Sequence, residues 1–114
     1  MILTTLLWGA AIIAGVGIVA AFWNDLVSFL KKAVEKVRQV VAGIVYGSKV
    51  FLKKLSEGVK EISRHYSKVD QHWEETTVTK IVSESDVPAE ILARANGYQE
   101  LDITDELEMQ LTSA

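Results

Sequence analysis

"AAFWNDLVSFLKK", residues 20–32, separates two chemical regimes in this 114-residue chain. Ahead of Asp25 there is no ionisable side chain, and beyond it Lys and Arg recur for more than thirty residues. The fold depends on whether this seam is a membrane exit or the entry to an amphipathic core helix.

From Ile2 to Trp23 run 22 uncharged residues, mostly Leu, Ile, Val, Ala and Gly. As a helix rising about 1.5 Å per residue they reach roughly 33 Å, enough for a hydrocarbon core of about 30 Å. A cleaved signal peptide normally begins with basic residues, and none is present. A buried helix of a bundle needs apolar surface around it, which the rest of the chain offers sparingly. The expectation is a transmembrane helix over residues 1–23.

Trp23 then lies at the headgroup level, with Lys31, Lys32, Lys36 and Arg38 behind it. The positive-inside rule makes this a single-pass protein with its N-terminus outside and its C-terminus cytoplasmic. Small residues four apart, Ala11/Gly15 and Gly17/Ala21, give the span a face for self-association.

Charge is unevenly distributed behind the span. Residues 25–69 carry ten Lys/Arg against four Asp/Glu, a balance of +6, and residues 70–114 carry two against eleven, or −9. Segments of opposite sign suggest separate partners. Within 24–73, Leu26, Leu30, Ala33, Val37, Val40 and Ile44 advance by alternating fours and threes, as do Leu55, Val59, Ile62, Tyr66, Val69 and Trp73. This predicts one long basic amphipathic helix of the coiled-coil kind. Gly43 and Gly47 mark a crossing or a kink in the 43–58 region.

The acidic end, 74–114, reads as a docking segment, β-α-β-like or partly disordered. "TTVTKIVS", residues 76–83, is a strand; Ser85 or Asp86 opens a short helix that Asn96–Gly97 stops. "YQELDI", residues 98–103, is a second short strand, and Thr104 caps a last helix reaching Leu111.

Chemistry is sparse. The chain has no Cys, so thiolate metal sites and thiol nucleophiles are absent. His65, His72 and Glu61 share a helical face, a spacing more often an exposed pair than a metal site. Glu74–Glu75 has no pocket-forming sequence around it. No phosphate-cradling loop or nucleophile elbow appears.

The expected fold class is mainly α: a transmembrane helix continuing into a long amphipathic helix, with a small acidic end. The expected function is that of a non-enzymatic, self-associating anchor or scaffold subunit of a membrane complex, with an oligomeric pore or channel as the alternative. No cofactor, metal or nucleic acid is expected. Expected partners are the lipid bilayer, further copies of the chain, and a soluble protein bound through the C-terminal segment.

Overall fold

A computed structural model of the chain describes residues 17–41 and 44–113. Helix α1 (Gly17–Val41) contains the seam, but it is neither a span nor the start of a long rod. It buries Phe22, Trp23, Leu26, Val27, Phe29, Leu30, Ala33, Val34 and Val37. These recur at three- and four-residue steps and form the broad stripe of a helix laid on a core. The opposite side carries Asp25, Ser28, Lys32, Glu35, Lys36 and Arg38.

The chain then becomes a sheet. Strands β1 (Val45–Lys54), β2 (Val59–Val69) and β3 (His72–Val82) form two successive antiparallel hairpins. A 3₁₀ turn (Glu84–Asp86), helix α2 (Ala89–Ala95), the two-residue strand β4 (Leu101–Asp102) and helix α3 (Thr104–Ser113) complete the order. The strand order is β3-β2-β1-β4, antiparallel throughout.

Helix α1 packs on β2 and β1, while α2 and α3 pack on β1. One apolar cluster joins them, running from Phe22, Leu26 and Leu30 through Val50, Leu52 and Val59 to Ile91, Leu101, Ile103 and Leu107. All three helices therefore cover one face of the sheet and leave the other open.

Local chemistry fixes the turns. Leu55–Gly58 joins β1 to β2, closed by Leu55 N–H donating to Gly58 O at 3.1 Å. Gly58 has φ +99°, and a Cβ there would lie 2.8 Å from the Val82 carbonyl oxygen, so neither the conformation nor the space admits a side chain. Asp70 and Gln71 both have positive φ and make the two-residue hairpin turn that matches strand twist. At the far edge Ile103 N–H donates to Val50 O at 3.1 Å, and Val50 N–H donates to Thr104 Oγ1 at 2.9 Å. Thr104 thus ties α3 to β1, and the Asp102 carboxylate accepts from Thr104 N–H.

Several expectations are corrected. The fold is not mainly α: a four-stranded antiparallel sheet accompanies three helices. The coiled-coil stripe fails after Val37, because Val40 and Ile44 are exposed and the helix ends at Val41. Leu55, Val59, Ile62, Tyr66, Val69 and Trp73 belong to a turn and two strands. Among the described residues no helix is long and apolar enough to cross a membrane, so the single-pass topology and the membrane and pore readings are withdrawn. Trp23 is a core residue, not a headgroup anchor. Ala11 and Gly15, with most of the expected span, lie outside the described residues, as does Gly43.

Candidate functional site: the open edge of the sheet

The helix-covered side of β2 is unusually polar. Glu61, Ser63, His65 and Ser67 alternate along it, all buried, with Ser48 of β1 opposite His65. Ser63 Oγ donates to Val78 O at 3.1 Å, which leaves it to accept from His65 Nε2 at 2.9 Å. Nδ1 then accepts from Ser48 Oγ at 2.8 Å, and the ring is neutral. Burial lowers the His65 pKa from 6.5 to about 4, consistent with that state. A serine hydroxyl on an imidazole is the pairing used in nucleophilic catalysis. Here both residues are 0% exposed and line no cavity, so no substrate can reach them. The row is structural.

Glu61 lies at the open end of this row. A crevice of about 270 Å³ reaches it, lined by Phe22, Asp25, Lys80, Ile81, Ser83 and Asp86 among others. Burial raises the Glu61 carboxyl from 4.5 to about 7; Lys80 opposes the shift, and Asp25 and Asp86 add to it. Glu61 Oε1 and Ser67 Oγ are buried without a hydrogen-bond partner among the described residues. No group of three or more His, Asp or Glu side chains among the described residues is arranged to hold a metal ion. His72, expected beside His65, is on β3 and exposed.

The accessible feature is β3. It pairs with β2 along its whole length without a register break, and its other edge has no partner strand among the described residues. Eleven residues of free edge present a row of unpaired backbone donors and acceptors, a template for another strand. No proline or bulge blunts it. Trp73 and Ile81 stand near its two ends, 63% and 64% exposed. Tyr46, displaced at the β1 bulge beside Gly47, meets Trp73 edge-on with ring centroids 5.7 Å apart.

The open face beyond this edge is mixed in charge. Lys49, Lys53, Lys60, Arg64 and Lys68 share it by register, but Arg64 is held by Glu100 at 2.7 and 3.0 Å, approached by Glu75 at 3.8 Å, and stacked on Phe51. Interleaved acids break what would otherwise be a continuous track for phosphates.

The residues singled out from the sequence do not converge. Gly17 opens α1, Ala21 is on its exposed side, and Lys31, Lys32, Lys36 and Arg38 follow along the helix away from the sheet's free edge strand. Gly47 sits at the β1 bulge, Leu55 in the first hairpin turn and Val59 in the core. Ile62 and Tyr66 belong to the open face, and only Trp73 reaches the edge. Ile81 was missed, although the β-branched run 76–83 contains it. Comparison of the chain with protein-family models, curated proteins and solved structures finds no match.

Proposed function

We propose that the protein acts without turnover as a self-associating scaffold subunit, with the β3 edge as its contact surface. The observation that carries this reading is the long unblunted edge flanked by two exposed apolar side chains. The buried state of the Ser48–His65 pair supports a non-catalytic role, since the one catalytic-looking pairing is closed to substrate. The interleaved acids on the open face favour a protein partner over a polyanion. Sedimentation velocity of the full-length chain over a hundredfold concentration range tests the reading. A reversible shift to a dimer or larger species is expected, and a single monomeric species throughout would contradict it.

A further inference from the structure

We infer that β3 pairs with β3 of a second copy, antiparallel and centred on Thr77; this rests on the self-association proposed above and specifies its geometry. If the two copies extend one sheet with their helices on the same face, residues of equal parity must lie opposite one another. About a Thr77–Thr77 centre, Glu74 faces Lys80, Trp73 faces Ile81, Glu75 faces Thr79 and Thr76 faces Val78. Each pair occurs twice by symmetry.

The strand is therefore complementary to itself in this one register. The two exposed apolar side chains of the edge meet on the open face. The oppositely charged pair meets on the helix-covered face, where Glu61 already lies opposite Lys80. A row Glu61–Lys80–Glu74 then crosses from β2 through β3 to the second copy, alternating in sign. Neighbouring registers lose this. Centring on Glu75 sets Glu75 against itself, and centring on Thr76 or Val78 leaves both Glu74 and Lys80 without an opposite charge. Edge charges that usually deter pairing here discriminate among registers.

The helices leave room for it. Helix α1 packs chiefly on β2, and the two β2 strands would be three strand spacings apart. That separation is roughly 14 Å, more than the 8–10 Å at which helices pack.

The chain has no native cysteine, so single cysteines report the register cleanly. Full-length Thr77→Cys, oxidised under non-denaturing conditions, is expected to give a covalent dimer. Ile81→Cys alone is expected to give none, because its symmetry mate lies about 27 Å along the strand. A mixture of Trp73→Cys and Ile81→Cys is expected to cross-link only on mixing. Glu74→Lys replaces two attractive pairs by two repulsive ones and should weaken association about tenfold at low salt, with partial recovery at high salt. Association without the Thr77→Cys dimer, or self-cross-linking of Ile81→Cys, would overturn this register and leave the scaffold reading intact. A monomeric parent chain would overturn both, and a chain whose edge is filled only by a different protein would overturn the second copy as occupant.

Discussion

Glu61 and His65 are held in opposite ways by the same buried row. Folding lifts the carboxyl to about 7, so the native state holds that proton more tightly than the unfolded chain does. The stability this contributes is present at low pH and is lost as pH rises from 4.5 through about 7. Folding lowers His65 to about 4, so its contribution is lost as pH falls from 6.5 through about 4. The two slopes offset one another where the windows overlap, and above pH 6.5 the Glu61 loss stands alone. Glu61→Gln keeps the shape and removes the charge. Its stability relative to the parent should therefore rise between pH 5 and pH 8, by on the order of 1–3 kcal/mol, read from urea unfolding at the two pH values. An equal difference at both would show that the carboxyl does not titrate in this window.

Among the elements, α1 was the most legible and the first hairpin the least. Phe22, Leu26, Leu30, Ala33 and Val37 announce an apolar face, and that face is the one buried. What the spacing cannot tell is whether lipid or a sheet lies against it. The hairpin was hidden because its polarity is inverted: β2 turns Glu61, Ser63, His65 and Ser67 inward and sets Ile62 and Tyr66 on the open face. An alternation of apolar and polar residues identifies a strand only when the apolar set is the buried one. With the inner face polar, Val59, Ile62, Tyr66 and Val69 fell by chance into helical steps. The strand within 76–83 and the helix ending at Asn96–Gly97 were readable because β-branched residues and a stop signal mark them locally. The contact edge was not readable, since a free edge is a property of strand order. If α1 is a core element, Leu30→Ala should cost about 2–5 kcal/mol of unfolding free energy by denaturant titration, because Leu30 is 0% exposed within the cluster. A change under 1 kcal/mol would mean the helix does not dock on the sheet.

For the whole molecule, three helices on one side of a four-stranded sheet leave an open face and one long unpaired edge. The short strand β4 and helix α3 close the other edge through Val50, and nothing comparable covers β3 among the described residues. The account's central claim is that this edge is completed by a second copy. In an unpaired edge strand only alternate amides are hydrogen-bonded, those pointing to β2; a strand paired on both sides protects consecutive ones. Residue-resolved amide exchange of the full-length chain, at a concentration where it is associated, measures this directly. Consecutive protection from Trp73 to Ile81 is the predicted result, and protection at every second amide alone would contradict it.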